Sequence, residues 1–371
     1  MQYNLNELAC IALSRETDPV KQKSMLVCLK KDDYVGIIAL CDEDSLKSFI
    51  RNLDEQDIRA VTRASENYPK RLFNLKMPPV VLYCRGDLSL FEKSAVAIIG
   101  TRDCTRYGAQ VASKFAKALA ERDIVVVSGL ADGIDAAAHE GAFLGRKVKN
   151  VVGPMDVSSH LPKGTVSVAK PQSGIVNTIA VLGNGLNYIY PQSNADLQRR
   201  ISKDALLVSE YLPNEKSNRF HFPYRNRIVA ALASAVIIVE ADLRSGTMIT
   251  KDWAIDLGVD VYAVPGPITS GASRGTNALI KEAHCAIMTD IEDVLEASFG
   301  IFEKTKDEPN VVVQISFDQK RVLDILAKGE AHFDDIIELL GLPVGKVTTL
   351  LTTMEMSGLI KKLAGNQYAA S

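Results

Sequence analysis

Six short aliphatic runs punctuate the middle of the chain: Ala95–Ile99, Ile124–Val127, Thr178–Leu182, Ala205–Val208, Ala235–Glu240 and Asp260–Val264. Their nearly continuous Val, Ile and Ala content suits strands covered on both faces, because a strand with one wet face alternates apolar and polar residues. Amphipathic stretches lie between them, at Gly108–Arg122, Ile134–Leu144, Asn194–Ser202, Asn226–Ala233 and Met248–Leu257. This βαβ alternation is the strongest constraint in the sequence. It predicts an α/β fold with a doubly wound parallel sheet.

Two other textures flank that core. Residues 1–75 read as a small helical domain, with Leu5, Leu8, Ile11 and Ala12, then Leu46, Phe49, Ile50 and Leu53, at helical spacing. Pro78-Pro79 breaks the pattern, and Val80–Cys84 reads as a short strand before Gly86-Asp87. The core domain spans 76–300 and the charged segment 301–310 reads as a linker. Residues 311–371 suggest three helices (Asp318–Ala327, Phe333–Leu340, Pro343–Ser357) and a hairpin around Gly365. That is a winged-helix pattern, with Leu340-Gly341-Leu342-Pro343 as a helix-turn-helix junction.

Charge and cysteine usage narrow the function. Lys and Arg total 43 against 45 Asp and Glu, for a net charge of −2. Bulk attraction to duplex DNA is therefore disfavoured, and the near-neutral C-terminal domain weakens groove reading there. A local basic pocket is still compatible with this balance. The six cysteines contain no CxxC pair and the five histidines no HxxxH or HExxH spacing. We expect reduced thiols, no metal and no cofactor. The longest nearly apolar run, Ile228–Val239, is too short for a bilayer span of about 20 residues. The N-terminus lacks a signal-peptide pattern, so the expected location is the cytoplasm, with no membrane span.

In a doubly wound sheet, ligands bind beyond the carboxyl ends of the strands. Four such ends here are rich in glycine and small polar residues: Gly100-Thr101-Arg102, Ser128-Gly129 through Gly133, Gly183-Asn184-Gly185, and Ser245-Gly246-Thr247. Glycines let backbone N–H groups approach an anion, and helix N-termini favour phosphate. Arg102 adds charge directly after the first strand. Arg225-Asn226-Arg227 is expected to open a helix after the turn His221–Tyr224, with Phe220, Phe222 and Tyr224 interleaved. Aromatics beside cations suit stacked bases and backbone phosphates.

Enzyme motifs fail. Gly183-Asn184-Gly185-Leu186-Asn187-Tyr188 does not complete GxGxxG, and Gly266–Gly271 is not followed by the Lys of a P-loop. Gly271-Ala272-Ser273-Arg274-Gly275 matches GxSxG but is separated from its strand by Pro265-Gly266-Pro267, unlike a nucleophile elbow. His139 reads as a helix-packing or capping residue. The segment 146–177, an insertion between helix and strand, carries Arg146, Lys147, Lys149, Lys163 and Lys170 against Asp156 alone. It is expected to form a surface hairpin or ordered loop away from the glycine-rich edge.

Taken together, these residues resemble the DNA-processing protein A family (DprA, also called Smf). The resemblance runs in order through Tyr68-Pro69, Arg85-Gly86-Asp87, Ile98–Arg102, Ser128–Asp135, Ile179–Gly183, Tyr190-Pro191, Ser209-Glu210-Tyr211, Phe222–Ile228, Val239-Glu240-Ala241, Ser245-Gly246-Thr247, Val264-Pro265-Gly266 and Gly275–Ile280. It implies an extended Rossmann-like fold that binds single-stranded DNA with no chemical step. It also implies protection of incoming strands in natural transformation, help in loading the RecA recombinase, and a homodimer. Carried onto this chain, the DNA pocket would use Gly100, Thr101, Arg102, Ser128, Gly129, Gly133, Gly183, Asn184, Gly185, Arg225, Asn226 and Arg227. The N-terminal segment Leu5–Lys31 lacks the glycine turn of a helix-hairpin-helix motif. Two other functions fit parts of the pattern. One is a nucleotide-hydrolysing Rossmann enzyme of the phosphoribohydrolase kind, whose PGGxGTxxE loop is absent. The other is a winged-helix transcription factor.

Overall fold

The computed structural model describes residues 3–146, 174–300, 316–327, 329–356, 359–363 and 365–370. The chain divides into two compact units, 1–301 and 302–371. The larger opens with helices α1 (Leu5–Arg15), α2 (Pro19–Lys30), α3 (Tyr34–Ile38) and α4 (Glu43–Glu55). Their starts follow local chemistry. Asn4 and Glu7 form a capping box on α1, and the Asp18 and Asp42 carboxylates accept the first free N–H groups of α2 and α4. The N-terminal stretch is not helical throughout, however. Arg59–Thr62 forms strand β1, paired antiparallel with β2 (Val81–Gly86). Ala60 and Val61 are buried by this pairing, a four-residue run too short to show periodicity.

The alternation expected for the core is present. In chain order come β3 (Ala95–Ile99), α5 (Arg106–Glu121), β4 (Val125–Ser128), α6 (Ile134–Leu144), β5 (Thr178–Val181), α7 (Ala195–Asp204), β6 (Leu206–Ser209), α8 (His221–Leu232), β7 (Ala235–Ile238), α9 (Thr247–Asp256), β8 (Asp260–Ala263), α10 (Arg274–Lys281), β9 (Ala286–Ile287) and α11 (Glu292–Phe299). The sheet order is β1-β2-β6-β5-β4-β3-β7-β8-β9. Strands β3 to β9 are parallel, and β2 joins β6 antiparallel. From β3 the order runs outward through β4, β5 and β6 on one side and through β7, β8 and β9 on the other. The direction of winding therefore reverses between β3 and β7, where Ile99 faces Ile238 in register. A crevice opens beyond the strand ends at such a switch point.

One helix starts earlier than its sequence suggests. α8 begins at His221, and Pro223 lies in its first turn, where a missing N–H costs nothing. Arg225 and Arg227 therefore sit inside the helix rather than at its opening. Two residues rotate a helix by about 200°, so the two side chains leave on nearly opposite sides.

The smaller unit contains α12 (Phe317–Leu326), β10 (Ala331–His332), α13 (Phe333–Leu340), α14 (Val344–Met356), β11 (Ile360–Lys362) and β12 (Gln367–Ala370), with β12 central in a three-stranded sheet. The three helices and the hairpin match the expected pattern, and β10 is additional. Gly341 ends α13 at φ +64°, the left-handed conformation that glycine adopts without penalty. Val322, Ile336, Val347, Leu351 and Met354 form the separate core of this unit.

The linker 301–310 and most of the insertion 146–177 lie outside the described residues. The insertion's flanks are described. Arg146 bonds the Gly174 carbonyl and pairs with Asp204 at 3.3 Å, while the Val176 N–H donates to the Asp204 carbonyl. Both flanks thus lie between the end of α6 and the start of β5, at the amino ends of the strands.

Candidate functional site

A cavity of about 830 Å³ opens at the switch point. Its floor comes from the ends of β3 (Ile99, Gly100) and the turn after β4 (Gly129, Ala131). One wall is the first three turns of α8, with Phe222, Arg225, Asn226 and Val229. The opposite wall is the start of α9, with Ser245, Gly246, Thr247 and Thr250. Arg102 and Asp103 line one rim, and Ser217, Asn218 and Arg219 another. A side pocket continues between Arg102, Gly183, Tyr190 and Phe222.

Close approach of neighbouring groups explains Gly129 and Gly133. A Cβ at Gly129 would stand 2.4 Å from Arg225 Nη2. Gly133 has φ +77°, and a Cβ there would meet the Thr101 and Arg102 carbonyls at 2.4 and 2.5 Å. The turn between these glycines is held on several sides. The Ser128 hydroxyl donates to the Ile98 carbonyl at 2.7 Å. The Asp135 carboxylate accepts the N–H of Gly129 at 3.1 Å and of Ala131 at 3.4 Å. The Asn194 amide donates to the carbonyls of Leu130 and Ala131, each at 3.1 Å. Cavity-facing backbone is thereby fixed before any ligand arrives.

Arg225 is the buried cation of the site, 4% exposed. Its guanidinium donates to the Gly129 carbonyl at 2.8 Å and to the Val181 carbonyl, and its Nε to Asn226 Oδ1 at 3.2 Å. Burial pushes its pKa down to about 10, a loss opposed by the Asp135 charge, so it stays protonated at neutral pH. Burial likewise raises the Asp135 carboxyl, with Arg225 and the turn N–H groups acting against the rise.

Arg102 is an exposed cation of the rim, as is Arg219. Arg102 lies over the Phe222 ring, 5.4 Å from the centroid, and Phe222 packs on Tyr190 with centroids 5.2 Å apart. Tyr190 is 46% exposed. Cation, aromatic face and open space thus adjoin along one rim. A strand of nucleic acid needs this combination, because bases stack on rings while phosphates seek unneutralised guanidinium groups.

Not every expected site residue reaches the cavity. Gly100, Thr101, Arg102, Gly129, Arg225, Asn226, Ser245, Gly246 and Thr247 line it, and Gly183 lines the side pocket. Ser128 is fully buried beneath the turn, and Gly133 shapes the backbone beside Arg102. Asn184 is 1% exposed, with its amide donating to the Gly185 and Tyr188 carbonyls. A Cβ at Gly185 would meet the Leu212 carbonyl at 2.0 Å. Arg227 points the other way, paired with Glu210 and stacked 4.1 Å from the Tyr224 ring centroid. The sequence reading missed Tyr190, Asp135 and Arg219 as cavity residues. Tyr190 and Asp135 lay within recognised motifs, but no spacing shows which way they face.

Two domains of known families match the chain. The family described as DNA recombination-mediator protein A matches residues 59–299, and the DprA winged helix domain matches residues 312–366. The chain belongs to the DNA recombination-mediator protein A family. It is 40% identical to DNA processing protein DprA of Streptococcus pneumoniae over 228 residues, covering 62% of this chain and 70% of that protein. It is 32% identical to protein Smf of Escherichia coli, over 86% of this chain and 80% of that one. Among solved structures, DNA processing protein A from Streptococcus pneumoniae matches 80% of this chain and 99% of its own, with a TM-score of 0.61 at 31% identity. DNA processing protein A from Helicobacter pylori matches 64% of this chain and 94% of its own, with a TM-score of 0.52 at 32% identity. The latter structure was described for its single-stranded DNA binding mode.

The described residues contain no cluster of three His, Cys, Asp or Glu placed to hold a metal. No single described helix is long and apolar enough to cross a membrane.

Proposed function

We propose that this chain binds single-stranded DNA in the switch-point cavity, as a carrier rather than a catalyst. The observation that carries this reading is the Arg102–Phe222–Tyr190 rim, where an exposed guanidinium and two aromatic rings border the cavity. A duplex hides its bases inside the stack, so a stacking rim favours a strand whose bases are free. The Helicobacter pylori relative, described for binding single strands, supports the same assignment. The binding residues proposed are Gly100, Thr101, Arg102, Gly129, Gly183, Arg225, Asn226, Ser245, Gly246 and Thr247. Ser128, Gly133, Asn184, Gly185 and Arg227 hold the frame. In the cell, the chain would act in the cytoplasm as a homodimer. It would protect incoming strands during natural transformation and help load the RecA recombinase.

The test is a titration of labelled single- and double-stranded oligonucleotides of one sequence across a salt series. The expected result is tighter single-strand binding at every salt concentration, with affinity falling as salt rises. Preference for duplex, or release of base from added nucleoside monophosphate, would reject the assignment.

A further inference from the structure

Phe220, the residue just before α8, is 67% exposed. A lone exposed aromatic is ordinary and carries no meaning by itself. This one sits on a fixed support. Asn218 Oδ1 accepts the N–H of Phe220 at 2.9 Å and of His221 at 3.2 Å. The Asn218 amide meets His221 Nε2 at 2.6 Å, and His221 Nδ1 meets the Gly183 carbonyl at 3.2 Å. Tyr211 stacks on the His221 ring, centroids 3.9 Å apart and 14° from parallel. The segment is therefore tied to the end of β5 and into α8, and Phe220 is held out in water by a rigid lip.

The Arg219 guanidinium lies 4.7 Å from the Phe220 ring centroid, and Arg219 itself lines the cavity. This repeats, outside, the cation-on-ring unit that Arg102 and Phe222 form inside. The two rings belong to residues two apart. At roughly 3.6 Å of reach per residue, their Cα atoms are at most about 7 Å apart. Two residues at a helix start are turned by about 200° from one another, so the rings face different ways and, as two stations, serve different nucleotides of one strand.

We propose that Phe220 with Arg219 forms an outer stacking subsite for the base of a nucleotide adjoining the one in the cavity. The strand then leaves the cavity across the 217–220 lip, with Arg219 serving its phosphate. This rests on the single-strand reading above, and it adds a binding site to it. It also predicts that recognition at the lip depends on a base and not only on phosphate.

The test compares the full-length chain with Phe220→Ala, Phe220→Leu and Phe220→Trp, using an oligothymidylate long enough to cover both stations. Phe220→Ala should bind about tenfold more weakly, equivalent to about 1.4 kcal/mol, within the range for losing one stacked base. Its salt slope should be unchanged. Phe220→Leu should not restore affinity and Phe220→Trp should. The added indole in Phe220→Trp should lose fluorescence on binding, beyond any change from Trp253 in the parent. On an oligonucleotide abasic across both stations, parent and Phe220→Ala should bind alike. Equal binding of oligothymidylate by the parent and Phe220→Ala, full activity of Phe220→Leu, or an unresponsive indole would overturn the subsite while leaving the cavity reading intact. Failure of the parent itself to bind any single strand would reject the functional reading, and the subsite with it.

Discussion

The Arg225 guanidinium packs directly against the bare Cα of Gly129, where a side chain would place its first carbon 2.4 Å from Nη2 and 2.7 Å from Asp135 Oδ2. Neither neighbour can retreat, because Asp135 and Arg225 are both buried and hydrogen-bonded to the same turn. Gly129→Ala should therefore destabilise the larger unit by about 1–3 kcal/mol, the usual cost of overpacking. Displacing Arg225 should also weaken single-strand binding. Chemical denaturation and an affinity measurement on the same preparation check both. An unchanged midpoint would mean that the arginine yields more easily than its hydrogen bonds suggest.

Arg102 should behave differently, since it supports no part of the frame. Arg102→Ala leaves folding intact and removes one exposed charge from the rim. A charge-assisted contact is worth about 1.5–3 kcal/mol, so affinity should fall by at least tenfold. The slope of log affinity against log salt should shrink by about 0.7, the single-strand value for one phosphate. A folded variant with the parental slope would show that Arg102 meets no phosphate.

Arg227 gives the reverse pattern. It is 3% exposed, paired with a Glu210 carboxylate that burial pushes toward protonation. Removing one partner of a buried pair strands the other charge and costs about 3–5 kcal/mol. Arg227→Ala should thus lower the unfolding midpoint sharply, while the folded fraction keeps parental single-strand affinity. Loss of affinity without loss of stability would return Arg227 to the binding surface.

These contrasts mark how far the sequence could be read. Aliphatic runs such as Ala95–Ile99 announce buried parallel strands, since six such segments alternate with amphipathic ones. The edge on which ligands gather then follows from topology alone, and Gly100, Gly129 and Gly246 were legible for that reason. Orientation was not. Pro223 looked like a turn residue, but the first turn of a helix also accepts proline, so α8 begins at His221 and Arg225 and Arg227 diverge. Strand β1 escaped because four residues, Arg59–Thr62, are too few to show a period. Asp135 and Tyr190 are cavity residues through tertiary packing of distant turns, a relation with no signature in spacing.

The acid response of the fold should report on His139. This residue is fully buried in α6. Thr178 spends its hydroxyl hydrogen on the Val126 carbonyl at 2.9 Å, so its oxygen is left to accept from His139 Nδ1 at 2.7 Å. That fixes the neutral tautomer with hydrogen on Nδ1. Nε2 is then an unprotonated atom, buried without a partner. Protonating it would place a second charge in dry surroundings shared with Arg225, and burial together with that charge lowers its pKa to about 3. In the unfolded chain the same ring titrates near about 6.5. Above that pH both states are neutral and the native state bears no penalty. Between about 6.5 and 3 the unfolded state binds the extra proton, so stability falls as pH falls, by up to about 1.4 kcal/mol per unit. His139→Asn removes the titration and can retain a donor toward Thr178. From pH 6.5 to 5 the parent should lose about 2 kcal/mol more than this variant, read from urea midpoints at each pH. Parallel losses in the two proteins would mean that His139 accepts its proton in the native state and that other groups drive the acid transition.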